Sequence, residues 1–436
     1  MSDASVSEIE RRTMGKVVRR LVPFLMICYF IAYLDRVNVG FAGATMSKDL
    51  GFSAAAFGGA AGIFFIAYFF FEVPSNLALN AFGARRWIAR IMFTWGLVSG
   101  AQAFVVGESS FYGVRLLLGV AEAGFFPGII FFLTLWFPSA YRARIVGLFM
   151  FAIPISTVIG SPISGLILGL EGIGGLHGWQ WMFIIEAAPA LLMTFVVLGY
   201  LTDRPADAQW LAPEERSWLQ TRLDGERANR EAHVRMSWVQ SIMNPRVVLL
   251  GCVYMALNVP QYGLSFFLPQ IVKAFGVTNL QAGFITALPY VVGAVGMVLW
   301  SRHSDKTGER VWHCVIPFLA MVVGLGLAAN TADPMTKILV LCIAAWGFFS
   351  ILPVFWTLPT AFLSGAGAAS GIAAVNSIGN LGGYFGPQAF GYLKTSTGGD
   401  TASLIFLACA ALAGAVLVLA LGHNPALEHA TAPPAA

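Results

Sequence analysis

Twelve long apolar stretches separated by short polar turns account for most of this 436-residue chain. A helix of about 20 apolar residues is long enough to cross the roughly 30 Å hydrocarbon core of a bilayer. Hydrophobic residues make up 57% of the chain and charged residues only 11%, a composition typical of membrane proteins and not of soluble domains. The sequence therefore predicts an all-α polytopic membrane protein with twelve transmembrane helices. They are expected near residues 20–46, 54–80, 87–107, 109–137, 143–169, 181–201, 246–275, 280–301, 311–330, 335–364, 367–395 and 402–422.

The loop arginines all fall on one side of the predicted membrane. They cluster at the N-terminus and in the even-numbered connections, as with Arg85, Arg142 and Arg302, whereas the opposite loops offer only lysines. Because positively charged residues of short loops stay cytoplasmic, we expect a multi-pass protein of the inner (cytoplasmic) membrane with both termini inside. The first apolar stretch lacks a small-residue processing site, so it is interpreted as a membrane segment and not as a cleaved signal peptide.

The two halves of the chain are related by an internal repeat. Gly83 and Arg85 match Gly308 and Arg310 at a constant offset of 225 residues. Repeated helix bundles that form a site at their interface are the architecture of secondary transporters. The predicted domains are an N-terminal six-helix bundle at residues 1–201, a cytoplasmic linker at 202–245 and a C-terminal six-helix bundle at 246–436.

Ionisable side chains deep inside the apolar stretches are confined to the first half. Each charge at the centre of a membrane helix costs about 3 kcal/mol, so such residues must pair with one another or face water. A purely structural role as buried salt bridges is the alternative, although apolar packing would join the helices without the desolvation cost. Glu72 and Glu186 are expected nearer the ends of their stretches. The four deep residues are Asp35, Arg36, Arg115 and Glu122.

These arginines and acids predict an anion site that also binds protons. Arg115 and Glu122 are seven residues apart, about two helical turns, and therefore share one face of a helix. An arginine fork binds a carboxylate bidentately and stays charged, so Arg36 or Arg115 is the expected clamp for the anion. Asp35 and Glu122 are the expected proton-coupling groups. Protonating an acid leaves an arginine unmatched, and an entering carboxylate then replaces the lost partner.

Neutral polar and aromatic residues are expected to orient the substrate. At the repeat offset Arg36 corresponds to Gln261, so the second half offers neutral donors where the first half has charges. Asn376 and Asn380 are four residues apart on one helix face and are costly to bury without partners. The other candidates for substrate binding are Tyr33, Tyr68 and Trp356.

Two turns resemble the signature loop of the major facilitator superfamily, GxLAD(R/K)xG(R/K)(R/K). Ser301–Arg310 is similar to the motif, and its first-half counterpart at Asn76–Arg85 has Asn80 where the motif has aspartate. The resemblance implies a loop that biases the inward and outward states. The loop residues that it assigns to this role are Gly83, Arg85, Asp305, Gly308 and Arg310.

Other motifs resemble one branch of that superfamily, the anion:cation symporters. Tyr33–Gly40 is similar to the first-helix signature of the branch, and Arg115–Gly128 to its fourth helix. Ala152–Ser156, Gly178–Trp181 and Thr202–Pro205 are similar to bacterial tartrate and 4-hydroxyphenylacetate permeases. The resemblance implies secondary active transport, namely proton-coupled import of a small organic carboxylate by alternating access. Tartrate, an aromatic acid such as phthalate and a short hydroxy acid all fit this prediction.

The sequence supports other functions less well. An anion exchanger or uniporter with the same arginines is the main alternative, and a membrane sensor is a more distant one. The sequence has no GxxxxGK[ST] motif, no CxxC spacing and no nucleophile–base constellation within the membrane stretches, so we expect no enzymatic activity, no cofactor and no metal. The expected partners are a small organic anion, protons and the lipid bilayer, with no nucleic acid, and the protein is expected to be a monomer.

Overall fold

The computed structural model describes residues 3–231, 244–362 and 368–422, and these residues form helices and no strand. Apolar side chains of the helices pack on one another and leave many large apolar side chains on the outside, as a membrane environment requires. The prediction of an all-α membrane protein is confirmed for this part of the chain. The middle of the predicted linker, residues 232–243, and the C-terminal tail after residue 422 lie outside the described residues.

The described residues of the first half form eight helices that belong to membrane segments and one polar helix, α9. These helices are α1 (Asp3–Leu50), α2 (Ala54–Phe82), α3 (Ala84–Ala101), α4 (Glu108–Glu122), α5 (Phe125–Trp136), α6 (Ser139–Met150), α7 (Ala152–Ile167), α8 (Gly178–Tyr200) and α9 (Pro213–Glu231). Short 3-10 turns lie at 102–104, 173–175 and 205–207.

The second half repeats this order of helices. Its helices are α10 (Pro245–Lys273), α11 (Asn279–Thr307), α12 (Val311–Asn330), α13 (Pro334–Phe355), α14 (Thr357–Phe362), α15 (Ala368–Asn380), α16 (Gly382–Thr397) and α17 (Thr401–Leu421). The predicted boundary between the tenth and eleventh stretches lies outside the described residues.

All twelve predicted stretches coincide with helices. Ten helical spans of the described residues are long and apolar enough to cross a membrane, and three of them, Glu108–Trp136, Ser139–Ile167 and Pro334–Pro359, run over a break between two helices. Helix α3 has 18 residues and begins with Arg85 and Arg86, which lower its hydropathy. The eleventh stretch is divided at Leu381 into α15 and α16, of 13 and 16 residues. The fourth, fifth and tenth stretches are likewise each composed of two helices.

The break between α4 and α5 has a local cause. Gly124 adopts a left-handed conformation with φ 85° and ψ 0°, which a residue with a side chain rarely adopts. A Cβ at this position would also lie 2.6 Å from the Cβ of Ser75 in α2. The break ends α4 at Glu122. A carboxylate at a helix C-terminus faces the negative end of the helix dipole, so Glu122 needs a positive partner.

We call the side at which α1 begins the terminal face. Helix α9 lies there, because Lys16 Nζ donates to Glu215 Oε1 over 2.8 Å. The two halves meet near the opposite face, where α2 packs against α16 and α7 against α11. Small residues allow this approach: a Cβ at Gly62 would lie 2.9 Å from the carbonyl oxygen of Tyr384, and one at Gly283 would lie 2.5 Å from that of Ser161. The halves are therefore in close contact on the side away from the termini.

A polar cluster on the opposite face joins the end of α1 to the start of α8. Glu171 Oε1 lies 2.7 Å from Nδ1 of His177, and its Oε2 accepts from the Gly178 N–H at 2.7 Å. Asp49 Oδ2 lies 3.4 Å from His177 Nδ1 and accepts from Trp179 Nε1 at 2.9 Å. The hydrogen bond with Glu171 raises the pKa of His177 above its ordinary value. When it is protonated, the imidazole pairs with both carboxylates of this cluster.

The His177 cluster predicts a pH-dependent stability. Because the folded-state pKa of His177 is raised, its contribution is fully present below the unfolded-state pKa and is lost as pH rises through the folded-state pKa. The apparent melting temperature of the wild type in detergent is thus expected to fall more between about pH 6 and pH 8 than that of His177→Gln. Glu171→Gln should lose the same pH dependence, and an unchanged pH profile in both variants would contradict the assignment.

Candidate functional site

A cavity lies between the two halves and contains about 530 Å³ of empty space, part of it open to solvent. Its apolar lining comes mainly from phenylalanines, and polar side chains of both halves complete the wall. The polar lining residues are Tyr29, Tyr33, Arg36, Tyr68, Tyr254, Asn258, Gln261, Tyr262, Asn376 and Asn380.

Among the described side chains that line this cavity, Arg36 alone is charged. Its Nη2 forms a buried salt bridge with Glu122 at the end of α4, and its Nη1 lies 3.5 Å from the Tyr262 hydroxyl oxygen of α10. The guanidinium carbon lies 5.7 Å from the ring centres of Tyr33 and Tyr68 and 5.5 Å from that of Phe64, within the range of cation–π attraction. The positive group is thus held at the cavity wall by one carboxylate and three rings.

Arg115 lies behind Phe64 and outside the cavity lining. It is fully buried, and its Nε and Nη2 donate to the backbone carbonyls of Ala60 and Ala61 at 3.4 Å and 3.1 Å. Its guanidinium carbon is 5.1 Å from the ring centre of Phe64, whose ring also contacts Arg36. This conformation does not bring Arg115 to the cavity, so the geometry does not support its predicted role as the anion clamp.

The two predicted proton-coupling acids have different surroundings. Glu122 is paired with Arg36, whereas Asp35 accepts a hydrogen bond from Trp95 Nε1 of α3 at 2.6 Å. Consecutive residues of an α-helix point about 100° apart, so Asp35 and Arg36 belong to different faces of α1. Asp35 is 1% exposed, and its Oδ1 has no hydrogen-bond partner among the described residues. The acid pair is therefore divided between the cavity wall and the interior of the first half.

Two further acids, which the sequence places nearer the ends of their stretches, are also buried. Glu72 is 3% exposed and Glu186 is 2% exposed. Ser164 Oγ donates to Glu186 Oε1 at 2.6 Å within the first half. Asn376 Nδ2 of the second half donates to Glu72 Oε1 at 2.8 Å. The spacing of four residues between Tyr68 and Glu72, which places both on one face of α2, was a sequence signal for Glu72.

The neutral candidates of the second half lie at the cavity, with one exception. Asn376 and Asn380 both line it, and Gln261 Nε2 donates to the Tyr33 hydroxyl at 2.6 Å. Trp356 does not line the cavity. Its ring centre lies 5.0 Å from that of Tyr254, which is a lining residue. The polar lining residues that were not predicted from the sequence are Tyr29, Tyr254, Asn258 and Tyr262.

Three polar contacts cross from one half to the other around the cavity. They join Tyr33 to Gln261, Arg36 to Tyr262 and Glu72 to Asn376. In each contact the second half contributes a neutral group. A molecule bound in the cavity can therefore contact both halves at once and change the balance between these contacts.

The contact between Glu72 and Asn376 predicts a shift in conformation when it is removed. Asn376→Ala removes the donor that lies 2.8 Å from the buried Glu72 carboxylate, which costs about 1.5–3 kcal/mol in this conformation and changes the ratio of states by roughly tenfold or more. Distances between spin labels on the α2–α3 and α11–α12 turns measure that ratio.

Asn258→Ala is the matched control for this prediction. Asn258 Nδ2 donates to the Gly379 carbonyl at 3.0 Å, a bond made within the second half. The Asn258→Ala variant should leave the distribution of spin-label distances close to that of the wild type. Equal shifts in the two variants, or no shift in Asn376→Ala, would contradict a specific role for the contact between the halves.

The two signature turns acquire their carboxylates in different ways. In the second half Arg310 Nη1 donates to Asp305 Oδ1 at 2.8 Å, next to Gly308, which ends α11 in a left-handed conformation. In the first half the Arg85 N–H donates to Asp203 Oδ1 at 2.8 Å. Asp203 follows α8 in the chain and thus supplies the acid that the motif lacks at Asn80.

Loss of the Asp203 carboxylate is predicted to lower the transport rate without changing substrate affinity. Asp203→Asn is expected to slow transport by about two- to fivefold, because a partly exposed ion contact contributes less than about 1 kcal/mol. Equilibrium affinity should stay within a few-fold of the wild type, since the turn is remote from the cavity. Asp207→Asn, an exposed acid of the same segment, is the control; an equal loss of rate in both variants would exclude a specific brace.

Two halves of repeated helices with a polar cavity between them define a membrane transporter. The chain belongs to the Major Facilitator Superfamily, whose sequence model matches residues 25–387. The predicted family and fold class, and transport in place of catalysis, are thereby confirmed.

The relatives of the chain are named as transporters, and the similarity covers nearly the whole length of both proteins. A protein of Agrobacterium vitis named "Putative tartrate transporter" is 52% identical over 420 residues, which cover 96% of this chain and 93% of the relative. A quinolone resistance transporter of Acinetobacter baumannii is 41% identical over 411 residues, covering 94% and 95%. Among solved structures, a bacterial homologue of the human lysosomal transporter Spinster, inward-facing and occupied, has a TM-score of 0.75 at 16% identity, covering 95% of this chain and 98% of that one. This last likeness concerns the fold alone.

Proposed function

We propose that this protein imports a small organic carboxylate together with protons by alternating access. The observation that carries the proposal is the salt bridge between Arg36 and Glu122 at the wall of a cavity shared by the two halves. The relatives of Agrobacterium vitis, at 52% and 51% identity, are named for tartrate, and this supports a small carboxylate as the substrate.

Arg36 is the proposed anion clamp. One of its terminal nitrogens is paired with Glu122, the other lies at a long distance from Tyr262, and its Nε has no partner among the described residues. The guanidinium fork therefore retains donors for an incoming carboxylate. Two parallel hydrogen bonds from such a fork fix the orientation of a carboxylate as well as its position.

Glu122 is the proposed coupling acid. A substrate carboxylate and the ionised Glu122 compete for the same guanidinium, so substrate binding is favoured when Glu122 carries a proton. The exchange leaves one negative charge beside Arg36 before and after binding. It thereby avoids an uncompensated buried charge, which costs about 3–5 kcal/mol when one partner of a buried pair is removed.

Asp35 is the proposed second proton site, within the first half. It is held by Trp95 on α3, a helix that packs on α4 and α8 and lies away from the cavity. Its proton would change the charge balance of the helix that carries Arg36 without occupying the substrate's place. The two acids are expected to titrate as a coupled pair.

The neutral groups of the lining favour a hydroxylated acid such as tartrate. Gln261, Asn376, Asn380 and the tyrosine hydroxyls offer hydrogen bonds from several directions, and a site built to bond hydroxyl groups discriminates against analogues that lack them. Asn376 and Asn380 lie in the half opposite Arg36. A molecule with polar groups at both ends can therefore connect the halves.

The proposed orientation places the terminal face and both termini in the cytoplasm of the inner membrane. Arg11, Arg19, Arg86 and Arg144 all lie on this face, in agreement with the retention of basic residues on the cytoplasmic side. The contact between the halves near the opposite face then closes the outer side. The described conformation would be one from which substrate is exchanged with the cytoplasm.

The transport mechanism is tested with Glu122→Gln in proteoliposomes. Glutamine mimics the protonated acid, so the variant should bind substrate and exchange it by counterflow but should lose most of the accumulation that a pH gradient alone drives. Asp35→Asn should behave similarly. Glu108→Gln, which changes an exposed acid at the start of the same helix α4, is the matched control and should accumulate substrate like the wild type.

Three outcomes would contradict parts of this proposal. Uphill uptake by both variants under a pH gradient would make the acids structural partners of the arginines. Uptake by the wild type that ignores an imposed pH gradient would favour the exchanger or uniporter. Failure of tartrate to compete with any transported acid, in a panel that includes aromatic acids, would exclude the hydroxylated class.

A further inference from the structure

A second cavity opens at the terminal face, between the beginning of α1 and helix α6. It contains about 920 Å³ of empty space, part of it open to solvent. None of its lining residues belongs to the substrate cavity. The lining residues are Glu10, Arg11, Met14, Gly15, Val18, Arg19, Tyr141, Arg144, Ile145 and Leu148.

The charge of this cavity is positive and largely uncompensated. Three arginines, Arg11, Arg19 and Arg144, face one carboxylate, Glu10. Glu10 Oε1 accepts a hydrogen bond from the Tyr141 hydroxyl at 3.0 Å. Within the described ranges no salt bridge joins any of the three arginines to a carboxylate. The cavity therefore retains donors for an anion.

The polarity of the lining changes with depth. On α1, Arg11 lies at the outer end, and Met14 and Val18 follow toward the membrane interior; on α6, Arg144 precedes Ile145 and Leu148 in the same way. Arg19 lies further along α1, toward the membrane interior. Its Nε donates to the Gly15 carbonyl at 3.3 Å, so its head group points back toward the terminal face. Arg11 and Arg144 thus precede Val18 and Leu148 on the way into the membrane, and the guanidinium group of Arg19 lies beside Gly15.

We propose that this cavity binds an anionic phospholipid. Its phosphate would lie among Arg11, Arg19 and Arg144, and an acyl chain would lie along the apolar wall. Basic pockets between membrane helices on the cytoplasmic side bind such head groups. A free phosphate or substrate anion would use the arginines but leave the wall of Met14, Val18, Ile145 and Leu148 unoccupied, and the depth of that wall therefore favours a lipid.

The proposal is tested by lipid binding to the purified, delipidated protein, monitored by native mass spectrometry. Phosphatidylglycerol is expected to bind more tightly than phosphatidylcholine with the same acyl chains. The double variant Arg11→Gln/Arg144→Gln should weaken phosphatidylglycerol binding by about thirtyfold, since each basic residue near an anionic lipid contributes roughly fivefold. Arg86→Gln/Arg246→Gln, which removes two exposed arginines of the same face, should change it less than threefold.

A variant of the apolar wall distinguishes a lipid from a small anion. Leu148 is an exposed apolar residue of a membrane segment, so Leu148→Ala keeps α6 apolar, and it should lower phosphatidylglycerol binding while the arginines stay in place. Inorganic phosphate should not displace the lipid at millimolar concentration. Displacement by phosphate together with normal lipid binding in Leu148→Ala would make this a small-anion site and overturn the proposal. Equal effects of the two arginine double variants would overturn it as well.

Discussion

The salt bridge between Arg36 and Glu122 imposes conditions on much of the first half. Two charges buried inside membrane helices are tolerated only with close pairing, because each costs several kcal/mol when its partner is absent. The pairing requires that α4 end beside α1, and the left-handed Gly124 ends it there. The rings of Tyr33, Phe64 and Tyr68 lie 5.5–5.7 Å from the guanidinium carbon and add cation–π attraction to the pair. The helix break and the aromatic wall thus both stabilise one ion pair.

The second half has neutral groups where the first half has charges, and this difference has a physical consequence. Contacts that cross between the halves must break and form again if access alternates. A hydrogen bond contributes about 0.5–1.5 kcal/mol between neutral groups and about 1.5–3 kcal/mol when one group is charged, whereas breaking a buried ion pair costs about 3–5 kcal/mol. Gln261, Tyr262 and Asn376 are all neutral. The strong interaction is thus confined within one half, and the weaker ones connect the halves.

Sequence patterns predicted the helices well and the helix breaks poorly. Length and hydropathy located all twelve stretches, since crossing a bilayer imposes both. The breaks at Trp356 and Leu381 have no comparable signal, because they depend on packing between segments far apart in the chain. The same limit applies to the loop of the first half, where Asp203 replaces an acid missing from Asn80 although more than a hundred residues separate them.

The site was predicted by residue type, whereas the structure also depends on the rotation of each helix. Arg36 and Arg115 look alike in the sequence, each an arginine inside an apolar stretch. Only the way α4 packs on α2 turns Arg115 toward the carbonyls of Ala60 and Ala61. Gly119 permits that packing, since a Cβ there would lie 2.9 Å from the Cβ of Ala67. Periodicity assigns residues to a helix face, but it does not say which neighbour the face contacts.

The position of Arg115 changes the electrostatic account of the cavity. Arg36 and Arg115 both lie near the ring of Phe64, and together with Glu122 they carry one net positive charge when all three are ionised. In surroundings of low dielectric constant, charge acts over distances longer than a contact. Arg115 can therefore attract an anion into the cavity through the ring of Phe64 without touching it. In the proposed mechanism Arg36 holds the carboxylate, Glu122 yields its place on receiving a proton, and the charge of Arg115 attracts the anion and is still present after it binds.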